Sequence, residues 1–310
     1  MIFANIDPQA RKRWRDKRMR IEQEIVNAKQ RSSLKGPRTW LGRHIPDTMN
    51  FFVRLSGLYA RGRRNAENLS VQNFDFSFPD LPLAFDGYKI LHLSDLHIGQ
   101  IDDLPRMIGG KLSGINPDLV VVTGDFQSFG IPSAKETADM VSYLVSLLPA
   151  QDGWLAVLGN HDSHSLTNTL EAINVRVLAN ESVVISRNED TLHFVGIDDV
   201  HAFYTPEALN ALEKYRENFR IALVHTVDLV TLAADLGYNL YLSGHTHGGQ
   251  VCLPGGRPVI TALDSHRHLA SGRWKVRDMQ GYTSRGLGYG FAPYRFNCPP
   301  EVTVINFHKG

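Results

Sequence analysis

Leu91-His92-Leu93-Ser94-Asp95-Leu96-His97 is the stretch from which the fold and the functional site are predicted. The apolar character of residues 88–93 indicates a buried strand, and two potential metal ligands, Asp95 and His97, follow directly after it. In open α/β sheets, ligands bind at the carboxyl ends of the strands. We therefore expect Asp95 and His97 to lie in a cleft at the end of this strand.

Four later segments have the same pattern, in which an apolar run ends in residues that can bind a metal. They end at Gly124-Asp125, at Gly159-Asn160-His161-Asp162, at His225 and at Gly244-His245-Thr246-His247. Helices are predicted over 104–112, 133–148, 166–173, 206–215 and 227–234, and further strands over 71–78 and 301–307. Three short β-rich runs within 175–195 indicate a hairpin or a meander. Alternating strands and helices are typical of an α/β fold.

The N-terminal region differs from the rest of the chain in charge. Residues 1–65 carry 16 Lys and Arg against 5 acidic residues, a net of +11, which leaves −10 for the remainder of this +1 chain. Residues 8–31 favour a helix that is either solvated or docked on the body. Residues 49–64 favour a basic amphipathic helix, which either lies on an anionic membrane surface or packs on the body. Its apolar residues are Phe51, Phe52, Leu55, Leu58 and Tyr59.

The composition excludes several classes of protein. No apolar run reaches the roughly 18 residues that would cross a bilayer, so no transmembrane segment is predicted. The basic cluster at 11–20 is not followed by the apolar core of a signal peptide. The two cysteines, Cys252 and Cys298, form neither a C-x-x-C motif nor a paired framework, which fits a reducing compartment. We expect a cytoplasmic protein that is not secreted, either free or peripheral on the cytoplasmic face of the inner membrane.

The chemistry of seven candidate ligands points to a pair of metal ions. They are Asp95, His97, Asp125, Asn160, His225, His245 and His247. Carboxylate, amide and imidazole donors suit Mn²⁺, Zn²⁺, Fe or Mg²⁺, and the lack of cysteine among them argues against a closed structural zinc site. Two cations about 3.5 to 4 Å apart need a shared carboxylate to offset their repulsion. The sequence therefore predicts a dinuclear site whose metals it does not identify.

The motifs D-x-H, G-D, G-N-H-D, a lone His and G-H-T-H, in that order, resemble those of the calcineurin-like metallophosphoesterase superfamily. Residues 244–250 and 283–288 resemble the bacterial branch that includes YkuE-like and YaeI-like phosphoesterases. The resemblance covers about residues 85–307 and implies an α/β fold, a four-layer αββα sandwich of two mixed β-sheets. With the helical basic extension, it predicts an arm over residues 1–70 and a metallophosphoesterase domain over residues 71–310.

The resemblance also implies a role for each site residue. One cation would be held by Asp95, His97, Asp125 and His247, and the other by Asp125, Asn160, His225 and His245. Asp125 would bridge the cations, which lower the pKa of a bridging water so that hydroxide is available near neutral pH. His161 would face the substrate phosphate. Held beside Asn160 and oriented by Asp162, it is predicted to donate a proton or a hydrogen bond to the leaving oxygen.

Three functions are compatible with the sequence. The first is hydrolysis of a phosphoester or pyrophosphate bond in a phosphorylated small molecule or a lipid-linked substrate, since a similar branch of the superfamily cleaves UDP-2,3-diacylglucosamine. The second is a phosphodiesterase or nuclease with a basic nucleic-acid-binding arm, which ranks lower because the body is acidic. The third is a non-catalytic metal-binding scaffold, which conflicts with the presence of every ligand and of His161. The oligomeric state stays open.

Overall fold

The computed structural model describes residues 6–32, 50–128, 130–216, 219–259, 261, 263, 265–290 and 292–310. Its helices are α1 (Pro8–Ser32), α2 (Tyr59–Glu67), α3 (Leu104–Lys111), α4 (Ala134–Leu147), α5 (Leu166–Ala172), α6 (Pro206–Lys214) and α7 (Val230–Asp235). Its strands are β1 (Ser70–Phe78), β2 (Lys89–Leu93), β3 (Leu119–Thr123), β4 (Trp154–Val157), β5 (Val175–Val177), β6 (Glu181–Arg187), β7 (Asp190–Ile197), β8 (Arg220–Val224), β9 (Leu240–Ser243), β10 (Gly272–Val276), β11 (Met279–Thr283) and β12 (Glu301–Lys309).

The strands of the described ranges form two six-stranded mixed sheets. The first has the order β1-β12-β2-β3-β4-β5, in which β12 pairs antiparallel with β2 and all other neighbours are parallel. The second has the order β10-β11-β9-β8-β7-β6, with antiparallel pairs at both ends and parallel pairs between them. Because neighbouring parallel strands end at the same edge, the loops after β2, β3 and β4 meet there, as do those after β8 and β9.

The buried apolar side chains fall into clusters that correspond to the spaces between four layers. Between the two sheets lie residues such as Phe76, Val121, Leu223 and Ile305. Helices α3, α4 and α5 cover the outer face of the first sheet with Ile108, Val141 and Leu170. Helices α6 and α7 cover the second sheet with Leu212 and Val230. The α/β prediction and the four-layer αββα order are confirmed.

The N-terminal helix α1 is docked on the body. Its Trp14 side chain belongs to the core cluster under the first sheet, and Arg18 is only 1% exposed. Of the two alternatives for residues 8–31, the solvated helix is therefore wrong. The division into an arm over residues 1–70 and a domain over residues 71–310 stays a prediction.

The segment 49–64 is not one continuous helix. Residue 49 lies outside the described residues, and the helical stretch 50–55 is separated from α2 by Gly57, whose φ is +73°. A left-handed φ is easily adopted by glycine and interrupts a right-handed helix. The apolar side chains Phe51, Phe52 and Leu55 are 60 to 72% exposed, so they do not pack on the body. None of the described helices combines the length and apolar character needed to cross a membrane.

The β-rich region 175–195 is divided between the two sheets. Strands β6 and β7 form an antiparallel hairpin, and Asn188 in its turn has a φ of +55°. Strand β5 instead pairs with β4 at the edge of the first sheet. The hairpin prediction is confirmed for the two runs that form β6 and β7. The run that forms β5 is instead the edge strand of the first sheet.

Candidate metal centre

The loops after five strands bring the seven candidate ligands together. Asp95 and His97 follow β2, Asp125 follows β3, Asn160 follows β4, His225 follows β8, and His245 and His247 follow β9. Six of them form two potential metal-binding groups, in each of which the donor atoms lie within 4.8 Å of one another. The groups are Asp95, His97 and His247, and Asp125, His225 and His245. Each of these six residues is at most 8% exposed.

The Asp125 carboxylate lies between the two groups. Its Oδ2 atom is 3.3 Å from His225 Nε2 in one group and 3.7 Å from His97 Nε2 in the other. Ligand atoms at about 2.1 Å from one ion are themselves about 3 to 3.5 Å apart. One carboxylate is thus close enough to ligands of both groups to be shared between two ions.

Asn160 extends the second group. Its Oδ1 atom is 3.1 Å from His225 Nε2 and 2.9 Å from His245 Nδ1. An amide oxygen is a hard neutral donor that binds divalent cations alongside carboxylates. The second group therefore offers a carboxylate, an amide and two imidazoles.

Hydrogen bonds to backbone carbonyls fix which imidazole nitrogen faces the centre. His225 Nδ1–H donates to the Thr123 carbonyl at 2.7 Å, and His97 Nδ1–H donates to the Gln127 carbonyl at 2.9 Å. Because a carbonyl only accepts, Nδ1 of each ring carries a proton, and Nε2 is the nitrogen that faces the centre. The His97 lone pair then faces His247 Nε2 at 3.3 Å. Nitrogen and oxygen lone pairs that converge in this way suit a cation between them, so the residues fit the implied metals.

The ligands sit on an unusual backbone. Positive φ values occur at Asp95 (50°), His97 (41°), Asp125 (56°), His245 (70°) and His247 (50°). Left-handed backbone at non-glycine residues is uncommon and is concentrated at functional sites. Glycines leave the space that these turns require, since a Cβ at Gly159 would overlap the Asp125 carboxylate and one at Gly244 would overlap Ser94 Oγ. The first residue of the G-N-H and G-H-T-H motifs is therefore glycine because a side chain would not fit there.

Burial disfavours the charged forms of these ligands. It raises the pKa of Asp95, raises the pKa of Asp125 to about 7, and lowers the pKa of His97 and His247. At His225, burial lowers the pKa, but the adjacent Asp125 carboxylate outweighs it and the pKa is raised to about 10. Buried carboxylates of this kind are stabilised by a cation, which binds their ionised form.

His161 and Asp162 lie on the same loop as Asn160. The His161 ring is 16% exposed, with Nε2 4.0 Å from Asp125 Oδ2, and its backbone N–H donates to Asp125 Oδ1 at 2.9 Å. The Asp162 carboxylate accepts from the backbone N–H groups of Gly159 and Gln127, both at 2.9 Å. Asp162 therefore holds the loop through its backbone, and a catalytic role for it stays a prediction.

The side chains of Arg285 and Arg295 bind protein groups. Arg285 pairs with the buried Glu301 carboxylate. Arg295 is fully buried and donates to carbonyls that include Gly286 O at 3.2 Å. Cys252 and Cys298 are buried free thiols, as small core residues would be, and both donate to the Gly248 carbonyl beside His247. These side chains support the loop of His247.

Two groups near the centre had no signal in the sequence. Arg18 of α1 donates to Gly159 O at 2.7 Å and to Asp162 O at 2.8 Å, and pairs with Asp198. His201 has its ring centroid 4.8 Å from that of His245.

Replacement of Arg18 by Met is expected to lower the free energy of unfolding by about 3 to 5 kcal/mol, because it leaves Asp198 buried without its guanidinium partner. Burial already raises the pKa of Asp198 to about 6, against the opposing effect of Arg18. Urea denaturation followed by circular dichroism measures the change. Arg20→Met, at an exposed position on the same helix, should change it by less than about 0.5 kcal/mol. Equal effects of both variants would contradict a buried role for Arg18.

A four-layer α/β sandwich with two adjacent histidine–carboxylate groups around one shared acid is the architecture of a dinuclear metallohydrolase. The model of the family described as calcineurin-like phosphoesterase matches residues 88–249, which is just over half the chain and includes every candidate ligand. The chain belongs to the calcineurin-like phosphoesterase family.

Relatives place the chain in the YkuE/YaeI-like branch. It is 32% identical over 235 residues to the uncharacterised metallophosphoesterase YkuE of Bacillus subtilis, covering 73% of this chain and 80% of YkuE. It is 31% identical over 232 residues to the phosphodiesterase YaeI of Escherichia coli, covering 70% and 81%. It is 27% identical over 298 residues to the UDP-2,3-diacylglucosamine pyrophosphatase LpxG of Chlamydia trachomatis, covering 76% and 88%. The chain is a phosphoester hydrolase, and the non-catalytic scaffold is set aside.

Proposed function

We propose that this hydrolase binds two divalent cations through the two ligand groups and cleaves a phosphoester or pyrophosphate bond in a lipid-linked substrate such as UDP-2,3-diacylglucosamine. The position of Asp125 within 3.7 Å of ligands in both groups is the observation that carries the dinuclear site. When bound, two cations supply a hydroxide near neutral pH and offset the charge of the phosphate. Mn²⁺ is the first choice for reconstitution, because carboxylate and imidazole donors suit it.

Asp125, His161 and Asp162 have separate roles in the proposed reaction. Asp125 would hold both cations, and it accepts a hydrogen bond from the backbone N–H of His161, which fixes that loop next to the metal centre. His161 lies at the partly exposed side of the centre and donates a proton or hydrogen bond to the leaving oxygen. Asp162 keeps Asn160 and His161 in position through the backbone of Gly159 and Gln127.

Two observations support the proposal of a lipid-linked substrate. One is the exposed surface of residues 50–64, and the other is the similarity to LpxG, a UDP-2,3-diacylglucosamine pyrophosphatase. Phe51, Phe52 and Leu55 expose 60 to 72% of their surface there. Arg54, Arg61 and Arg64 add positive charge in the same segment. An apolar face flanked by basic residues binds the interface of an anionic membrane. Binding of the protein to the cytoplasmic face of the inner membrane would bring the active site close to a substrate anchored in that membrane.

Hydrolysis by the Mn²⁺-loaded full chain tests the proposed activity. The substrates are p-nitrophenyl phosphate, bis-p-nitrophenyl phosphate, UDP-glucose and UDP-2,3-diacylglucosamine, the last presented in mixed micelles. Release of UMP from UDP-2,3-diacylglucosamine, with slower cleavage of UDP-glucose and full loss of activity in EDTA, is the expected result. A fully metal-loaded protein that cleaves none of the four would overturn the proposal.

Vesicle binding is expected to depend on the apolar face of residues 50–58. Leu55→Asp should weaken binding to vesicles of phosphatidylethanolamine and phosphatidylglycerol by about tenfold, because a leucine side chain leaves the interface. Leu83→Asp is a matched control, since Leu83 is 73% exposed and Leu55 is 72% exposed. Co-sedimentation measures the bound fraction. Equal binding of the two variants, or a wild-type chain that stays in the supernatant, would refute the membrane role.

A further inference from the structure

A cavity of about 490 Å³ opens directly beside the candidate metal centre. Asn160 and His161 line one side of it, and Ile25 and Val26 of α1 line another. Phe203, which is 3% exposed, contributes to its wall together with its neighbour Ala202. The cavity thus joins residues of the catalytic loop to apolar side chains from a helix far away in sequence.

Helix α1 is held firmly enough to form a wall of this cavity. Trp14 Nε1–H donates to Asp198 Oδ2 at 2.7 Å, and the Arg18 guanidinium lies over the Phe203 ring at 3.8 Å from its centroid. One turn further on, Glu22 accepts hydrogen bonds from the backbone N–H and the ring of His164, at 2.7 and 2.6 Å. The contacts at Trp14 and Arg18 are buried, and buried ion pairs and hydrogen bonds fix relative positions. Ile25 follows these anchors within one helical turn.

The lining of the cavity combines polar and apolar side chains. At Asn160 and His161 it meets the ligand groups, where a phosphate is cleaved in the proposed function. Glu22 and His201 also line it, whereas Ile25, Val26 and Phe203 present hydrocarbon and an aromatic ring, which favour burial of apolar groups. A ligand that contacts His161 through a phosphate could therefore place an attached apolar group against Ile25, Val26 and Phe203.

We propose that α1 forms one wall of a substrate subsite, in which Ile25, Val26 and Phe203 bind the apolar group attached to the scissile phosphate. The subsite rests on the proposed function, because it presumes that phosphate binds beside His161. It deepens that function by assigning specificity to a helix outside residues 88–249, the part of the chain that the family model matches. Residues 88–249 would then supply the chemistry, and α1 the preference for apolar substrates.

Isothermal titration calorimetry tests the subsite. It measures the affinity of the Mn²⁺-loaded full chain for methyl phosphate and for hexyl phosphate. The wild-type chain should bind hexyl phosphate at least about tenfold more tightly than methyl phosphate, because the subsite buries the additional CH₂ groups. Val26→Asp should reduce this ratio to below about threefold, because a carboxylate replaces part of the apolar wall. Met19→Asp is the matched control, since Met19 is 48% and Val26 47% exposed on the same helix, and it should retain the wild-type ratio.

Each outcome bears on the subsite separately from the activity. Equal affinity of the wild-type chain for the two phosphates overturns the subsite while leaving the hydrolase intact, as does an undiminished ratio in Val26→Asp. Loss of the ratio in Met19→Asp as well as in Val26→Asp also overturns it, because the effect would then come from charge on α1. Failure of the wild-type chain to bind methyl phosphate and to hydrolyse p-nitrophenyl phosphate would overturn the proposed function itself.

Discussion

Replacement of Asp125 by Asn is expected to remove most of the bound metal and to lower turnover by at least about a thousandfold. The carboxylate lies within 3.7 Å of ligands in both groups, and a neutral amide cannot offset the repulsion between two cations. Inductively coupled plasma mass spectrometry of the reconstituted protein gives the metal content. Steady-state hydrolysis of p-nitrophenyl phosphate gives the turnover.

Asp139→Asn is the matched control for this substitution. Asp139 is an exposed residue of α4, so its replacement should leave two metal ions per chain and wild-type turnover. An Asp125→Asn chain that retains both metals and full activity would show that Asp125 is not a shared ligand. Loss of one metal with retention of the other would place Asp125 in a single group.

Replacement of His161 by Ala is expected to lower turnover by about 10²- to 10⁴-fold without releasing metal. The ring lies 4.0 Å from Asp125 Oδ2 and is partly exposed, so it is placed to reach a leaving oxygen while the ligand groups stay complete. The tie between this loop and Asp125 runs through the backbone N–H of His161, which alanine retains. The same metal and turnover measurements therefore separate the roles of His161 and Asp125.

A substrate with a good leaving group provides a second readout for His161. If His161 protonates the leaving oxygen, His161→Ala should impair p-nitrophenyl phosphate much less than phenyl phosphate, because p-nitrophenolate leaves without a proton. His164→Ala, three residues along the same loop, should change neither rate by more than a few-fold. Equal losses on the two esters, or loss of metal from His161→Ala, would contradict the role as proton donor.

The sequence was sufficient to predict the strands that precede the candidate ligands, because these strands leave local patterns, whereas the two-sheet arrangement was implied by the family resemblance. A buried parallel strand is a short apolar run, and its functional residues follow it directly, as His97 follows β2 and His245 follows β9. The helices were predicted close to their observed bounds for the same reason, with Ser133 as an N-cap that closes a capping box with Glu136. Local periodicity does not show which strands share a sheet, and the split of β5 from β6 was not predicted.

Contacts between distant parts of the chain could not be predicted from the sequence. The Arg18–Asp198 pair joins residues 180 positions apart, and an arginine in a run of basic residues gives no sign that it will be buried. The role of Asp162 depends on where the backbone of Gln127 lies, 35 positions away. The motif suggested a partner for the neighbouring imidazole, whereas the fold turns the carboxylate towards backbone N–H groups. The cavity bounded by Val26 depends on the docking of α1 in the same way.

Anomalous X-ray scattering from crystals of the Mn²⁺-loaded chain tests the dinuclear centre most directly. Two manganese peaks about 3.5 to 4 Å apart are expected, one beside Asp95, His97 and His247 and the other beside Asn160, His225 and His245, with the Asp125 carboxylate between them. A single peak, or two peaks that do not share Asp125, would contradict the dinuclear assignment.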